Sequence, residues 1–201
     1  MKSPLPFVVL TLSLLLHAQA DDWTLSSQKD DVTIYSRVRT GSSIKEFKAV
    51  GSVDAKPEAV RDVLDDVPAY TRFMPYVVEC SILKREGDSF ISYQRISPPL
   101  CSSRDYTLRV RHETKTTPAG ATYISRWELA NALGPPEKPG VVRVTVDEGS
   151  WRLEPAGHNK TLAIYQIYTD SGGALPSFIA NKANQVGIGK MFAAIRKEAA
   201  K

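Results

Sequence analysis

From Val77 to Asp170 the chain is a succession of short segments in which apolar and polar residues alternate, separated by tight turns. Alternation with a period of two puts every second side chain on one face of a strand. The quoted segments are "VVECSILK", "SFISYQRI", "RDYTLRVRHE", "ATYISRWEL", "VVRVTVD", "SWRLEP" and "TLAIYQIYTD". Two more strands precede them, "VTIYSRV" (Val32 to Val38) and "KEFKAVGSV" (Lys45 to Val53). Short connections predict a mainly antiparallel sheet, laid down in chain order. Between the two groups, Asp54 can cap a helix that has Pro57 early and Val60, Val63, Leu64 and Val67 at helical spacing. "AYTRFMPY" continues it as a short helical turn.

The chain closes with a long helix. "GG" (Gly172, Gly173) ends the last strand, and Pro176 can sit in the first helical turn. Leu175, Phe178, Ile179, Ala183 and Val186 make an apolar stripe, continued by Met191, Phe192 and Ile195. Gly187 and Gly189 interrupt it. They either ease bending of the helix or let it approach the sheet closely. The fold class is α+β: a curved antiparallel sheet wrapped around one long C-terminal helix. One helix is a small cover for so large a sheet, so an internal hydrophobic cavity is expected between them.

At 201 residues, 42% apolar and 24% charged, the chain is long enough for one well-packed domain. Its formal charge of +4 is spread out, with no basic block, so nucleic acid is not expected as a partner. Residues 1–20 carry Lys2, the apolar run "PFVVLTLSLLL" and the small-residue site "AQA", the pattern of a cleaved secretory signal peptide. The run is shorter than the ~20 residues a membrane span needs. The domain is then 21–201, a mature chain beginning at Asp21 in the periplasm or outside the cell. An oxidising compartment permits a disulfide between Cys80 and Cys101. The turn "EGD" sets Cys80 opposite the neighbourhood of Gln94, several residues short of Cys101, and favours two small buried apolar residues instead.

Enzyme chemistry finds little support. His112 and His158 are the only histidines beyond residue 20, and neither has a cysteine, serine motif or carboxylate cluster nearby in sequence. No nucleophile elbow, zincin motif or C-x-x-C occurs. The acid pairs at 21–22, 30–31 and 65–66 read as caps and turns, so neither metal nor cofactor is expected.

The most informative stretch is "SSRDYTLRV" (Ser102 to Val110). Tyr106, Leu108 and Val110 share the apolar face of a strand, and the same face carried back two residues lands on Arg104. Together with "VVECSILKREGDSFISYQRI", "GPPEKPGVVRV", "GSWRLEP" and "GGALPSFIANKANQ", in this order, it resembles the StAR-related lipid-transfer (START) domains over the chain from about Trp23 onward. The resemblance implies a helix-grip (START/Bet v 1-like) fold and a tunnel for one sterol, phospholipid or fatty acid. It implies no catalysis. It also implies that Arg104 faces a carboxylate inside the tunnel, and the family's acidic position falls on Glu79.

A Glu79–Arg104 pair binding the ligand's polar end is therefore one expectation; a pair that only fixes strand register is the other. Arg95, which shares a face with Ile91 and Tyr93, is a sister candidate. By strand parity Tyr106, Leu108, Tyr123, Trp127, Trp151 and Tyr165 are candidates for the apolar wall, with Phe73, Met74 and Phe178. The lid would be "NALGPPEKPG" with the last helix. The expected activity is binding and transfer of a lipid by a monomer with transient membrane contact. The alternatives are a ligand-modifying enzyme of the cyclase or hydrolase type and a lipid sensor docking to a membrane partner.

Overall fold

The computed structural model describes residues 22–201 except Leu100 and Ala174. The expected signal segment and its cleavage site lie outside the described residues. Ten strands and three α-helices follow in order: β1 (Thr24–Lys29), β2 (Val32–Val38), β3 (Lys45–Val53), α1 (Pro57–Asp65), α2 (Tyr70–Phe73), β4 (Val77–Glu86), β5 (Ser89–Ile96), β6 (Arg104–Thr117), β7 (Gly120–Leu129), β8 (Val142–Arg143), β9 (Val146–Pro155), β10 (Thr161–Asp170) and α3 (Ser177–Ala199).

The strands form one sheet in the order β1-β2-β3-β10-β9-β7-β6-β5-β4, with β8 paired parallel to β6. This corrects the expectation of simple chain order. β3 is followed by helices rather than a hairpin turn, so the chain crosses to the far edge before it meanders back. The meander ends with β10 beside β3. β1 is an edge strand that the sequence pattern did not mark. "VVRVTVD" divides into β8 and the start of β9. α1 begins at Pro57 as expected, but its N-cap is Lys56, without a side-chain cap from Asp54.

α3 covers one face of this sheet, the inner face. Phe192 is fully buried there against Gly51, where an added Cβ would come within 2.9 Å of its ring. Phe192 also meets Trp151 at 5.4 Å between ring centroids. With Val32, Ile34, Phe47, Ala49, Leu153, Ile188 and Ile195 it forms the core. Polar ties add to this. Asn181 bonds the Lys45 amide at 2.9 Å and the Ser43 carbonyl at 3.2 Å, and Arg196 donates to the carbonyls of Asp30, Asp31 and Ser52. All these ties lead to β1–β3 and their connecting turns, so α3 grips that half of the sheet.

The first part of the apolar stripe expected on α3 is not its buried face, whereas its continuation at Phe192 and Ile195 is. Phe178, Ile179, Ala183 and Val186 are exposed, while Ala180, Ile188, Phe192 and Ile195 are buried. The first half of the helix is held by Asn181 and by Gln185, which donates to the Ser26 carbonyl, rather than by apolar contacts. A Cβ at Gly187 or Gly189 would meet open space, so neither glycine serves close packing on the sheet.

Candidate functional site

Opposed residues in a ladder share a face, so the register sorts the candidate residues. The face that meets Phe192 carries Gly51, Ala163, Leu153 and Tyr123 in one row, and Ala49, Tyr165, Trp151, Ser125 and His112 in the next. Val110 opposes Trp127, and Tyr106 opposes Gln94, which opposes Cys80. Arg104, Tyr106, Leu108, Tyr123, Trp127, Trp151 and Tyr165 therefore all lie on the inner face, as their parity predicted.

The aromatic side chains of this face stack on one another. Tyr165 lies 4.6 Å from Trp151 and 5.7 Å from Trp127, centroid to centroid. The Trp127 indole crosses Gly149, where a Cβ would come within 2.4 Å of the ring. Tyr106 and Tyr165 are half-buried on this face, and burial raises their phenol pKa values above the ordinary one. Asp147 is half-buried beside them, and its carboxylate accepts a hydrogen bond from the Trp127 Nε1–H at 2.8 Å. Burial pushes its pKa up to about 6, against hydrogen bonds from Trp127 and Thr169. Sequence reasoning missed Asp147. It reads as the end of a strand, and only its parity with Trp151 and Leu153 marks it as inward-facing.

Met74 packs against the core from the end of α2, and Phe73 makes an edge contact with Tyr70 at 5.6 Å. Tyr123 lies at the α1 end of the inner face. Its hydroxyl is 3.2 Å from Glu58, and the Arg61 guanidinium lies 4.5 Å from its ring. Phe178 does not join this wall; it is 72% exposed on α3.

The expected Glu79–Arg104 pair is not made. Glu79 opposes Arg95, which opposes Asp105, which opposes Arg143, all on the outer face. The reason is a β-bulge between Val77 and Glu79. Val77 opposes Ile96, so an unbroken ladder would set Glu79 opposite Gln94, on the face of Arg104. The extra residue turns Glu79 to the other side. There Glu79 accepts hydrogen bonds from Arg95 at 2.9 Å and from Lys138 at 3.1 Å, and these two partners hold its carboxyl below the usual carboxylate range. Asp105 is fully buried. It takes two bonds from Arg143, at 2.7 and 3.1 Å, and one from the Tyr93 hydroxyl at 3.1 Å. Burial pushes its carboxyl up, but the Arg143 bonds outweigh this and hold it low.

Lys138 belongs to the Gly/Pro-rich loop expected as a lid, and Arg143 follows it on β8. The loop is instead strapped to the outer face of β5 and β6. Asn131 Oδ1 caps the Thr107 amide at 2.8 Å, and a Cβ at Gly134 would collide with the Thr107 side chain. The sequence placed Arg95 among the ligand-binding candidates; the register puts it in this outer network.

Arg104 is 3% exposed on the inner face, between Ile96 of β5 and Val142 of β8. Its Nη1 donates to the Ser102 carbonyl, and its Nε has no acceptor among the described residues. Burying a guanidinium without a carboxylate costs several kcal/mol.

The geometry also bears on the cysteines and on His112. Both cysteines are free, and the Cys80 thiol donates to the Val67 carbonyl at 2.9 Å. His112, isolated in sequence, has Ser125 Oγ at 3.0 Å and Asp65 Oδ1 at 3.6 Å. The order resembles a nucleophile, base and acid. Ser125, however, is in the middle of a strand paired on both sides, where the ladder takes the backbone N–H groups that an oxyanion hole would need.

Comparison with known proteins agrees with this architecture. The family model for the START domain matches residues 9–199. An uncharacterized protein of Pseudomonas aeruginosa is 31% identical over 166 residues, covering 82% of this chain and 80% of its own. The phosphatidylcholine transfer protein of Mus musculus is 26% identical over 170 residues, covering 83% and 78%. A crystal structure of a STAR-related lipid transfer protein fragment from Xanthomonas axonopodis superposes with a TM-score of 0.81 at 26% identity, covering 90% of this chain and all of that one. The helix-grip architecture, the RDY strand entry and a family match over nearly the whole chain agree: this protein belongs to the START domain family.

Proposed function

We propose that the protein binds one lipid between the inner face of the sheet and α3, and carries it between membranes unchanged. The observation that carries this reading is the aromatic inner face, where Tyr165 stacks on Trp151 and Trp127 and the same face continues through Tyr106 and Leu108. Stacked aromatic rings are the lining of a site for an apolar ligand. The polar ties of α3 lead to the β1–β3 half of the sheet and its Phe192 reaches Trp151 of β9, and we assign the ligand to the inner face beyond that contact. The kinship with a phosphatidylcholine transfer protein supports a lipid rather than another hydrophobe.

The proposed setting is outside the cytoplasm, in a periplasm or secreted, with the chain cleaved before Asp21. The basis is the signal-peptide pattern of residues 1–20. The reading is of a monomeric carrier, not an enzyme, with transient contact at a membrane surface.

Native mass spectrometry of protein purified from its own compartment tests all of this together. A single lipid at a one-to-one ratio on a chain with the mass of Asp21–Lys201 is the expected result. Extraction then names the lipid, and exchange between donor and acceptor vesicles separates a carrier from a sensor. A chemically altered ligand after incubation would turn the reading to an enzyme. A protein that takes up no sterol, phospholipid or fatty acid would overturn it.

A further inference from the structure

We infer that His112 and Asp65 form a proton-operated clasp, which fastens the helical stretch from Pro57 to Phe73 over the inner face and slows passage of the ligand in mildly acid medium. This rests on the lipid-binding reading above and goes beyond it, because it names a condition that governs exchange.

α1 packs on β7, β9 and α3, and α2 packs on β4, so the stretch between β3 and β4 lies across the inner face. Polar contacts fasten it at intervals. Just before α1, the buried Thr161 hydroxyl donates to the Ala55 carbonyl at 2.7 Å. Along α1, the Tyr123 hydroxyl donates to Glu58, and Arg61 lies on the Tyr123 ring. Toward β4, the Cys80 thiol donates to the Val67 carbonyl. Between these, at the last residue of α1, Asp65 Oδ1 stands 3.6 Å from His112 Nε2 of β6. Of all these side chains, only the imidazole ordinarily changes charge between about pH 5 and 8.

The groups around the pair leave it to act alone. On the helical side, Arg61 is engaged by Asp62 at 2.7 Å, Asp66 faces Arg72 at 3.9 Å, and the Tyr70 hydroxyl donates to the Leu64 carbonyl. From the β4–β5 turn, Arg85 lies on the ring of Phe90, which meets the imidazole at 5.5 Å, and the Asp88 carbonyl accepts the His112 amide. On β6, Arg111 and Glu113 take the outer face and pair there with Glu128 and Arg126. β7 presents the neutral Ser125 hydroxyl, 3.0 Å from His112 Nδ1. With His112 neutral, Asp65 has no cation within 4 Å among the described residues. Burial pushes the Asp65 carboxyl up, and His112 pulls it back down. A proton on the imidazole turns this contact into an ion pair across the seam between α1 and the sheet. The cation favours the fastened state, so the clasp is present below the histidine range and is lost as pH rises through it.

Two measurements, each made at about pH 6 and about pH 8, on either side of the ordinary histidine value, test this. One is transfer of a fluorescent phosphatidylcholine between neutral phosphatidylcholine vesicles. The other is hydrogen–deuterium exchange of residues 57–73, corrected for the intrinsic pH dependence of amides. Wild-type protein is expected to transfer the probe roughly threefold more slowly at the lower pH and to protect this stretch by a like factor, the scale of a half-exposed charge pair. His112→Gln and Asp65→Asn are each expected to behave at both pH values as the wild type does at the higher one. Asp147, with its pKa of about 6, titrates on the same face, but it is common to wild type and variants, so the difference between them isolates the clasp. Wild-type transfer and protection that do not change with pH would overturn the inference, and this comparison needs no variant to fold. A pH dependence that survives in both variants would also overturn it. So would a loss of protection in His112→Gln that is equal at both pH values, the mark of a merely structural role. Protection that follows the clasp while transfer does not would overturn its part in ligand passage. A protein that takes up no lipid at either pH would overturn the proposed function itself, and amide exchange alone would then decide the clasp.

Discussion

The carboxylate of Asp147 accepts the indole N–H of Trp127 at 2.8 Å on the inner face of the sheet, within a wall of stacked aromatic rings. Its pKa of about 6 lies roughly two units above the ordinary value of 3.8, so the folded protein holds the Asp147 proton more tightly than the unfolded chain does. The sign follows. Below about pH 4 both states are protonated and the residue costs nothing. Between pH 4 and 6 the unfolded chain ionises first, and stability falls as pH rises; above pH 6 the full penalty is present. Asp147→Asn can still accept from Trp127. It is expected to stabilise the delipidated protein by about 2–3 kcal/mol at pH 8 and by almost nothing at pH 4. Urea denaturation at the two pH values measures this, and an equal effect at both would contradict it.

Breaking the Asp105–Arg143 pair is expected to be costly, because Asp105 is fully buried and would be left charged. Arg143→Met should lose about 3 kcal/mol. It should also loosen the loop that Arg143 anchors through the Pro135 carbonyl, at 3.1 Å. Denaturation gives the first number. Limited proteolysis between Leu133 and Val142 gives the second, with faster cleavage in the variant expected.

Glu79 is the contrasting case. It and both its partners are half-exposed. Glu79→Gln is expected to cost less than about 1 kcal/mol and to leave lipid affinity unchanged. Loss of bound lipid in this variant would mean that the outer network reaches the ligand after all.

Gly187 and Gly189 lie where a methyl group meets open space. Replacing each by alanine should stabilise α3 by about 0.5–1 kcal/mol. With close packing removed as their role, easier bending is what remains. The double variant is expected to exchange lipid between vesicles more slowly at unchanged affinity. Unchanged exchange with increased stability would leave the glycines without a part in ligand passage.

The sequence pattern carried much of this structure, for identifiable reasons. The hairpins β4–β5 and β6–β7 were legible because alternation and turn residues are local signals, and the same parity placed Tyr106, Trp127, Trp151 and Tyr165 on one face. Two kinds of feature were not legible. One is a change of parity within a strand. The bulge at Val77–Glu79 takes one residue, leaves no mark in composition, and moves Glu79 to the other side of the sheet. The other is a long-range partnership. Nothing local in "KEFKAVGSV" says that it pairs with "TLAIYQIYTD", and nothing near Phe178 says that polar bonds would hold its end of the helix. The pairing of Glu79 with Arg104 failed for the first reason and the strand order for the second.

The seam between β3 and β10 also governs how the molecule comes into being. Phe47 pairs with Ile167 and Val53 with Thr161, partners more than a hundred residues apart. Until β10 has been synthesised, β3 has an open edge and Phe47 has no strand beside it on that side. α3, which seals the inner face, comes later still. Closing so long a loop is entropically expensive, and chains dominated by such contacts fold slowly. The nascent protein therefore spends its synthesis as a β1–β3 ribbon and a growing meander, each with an exposed edge open to aggregation. The β3–β10 ladder can close only after the last strand is free.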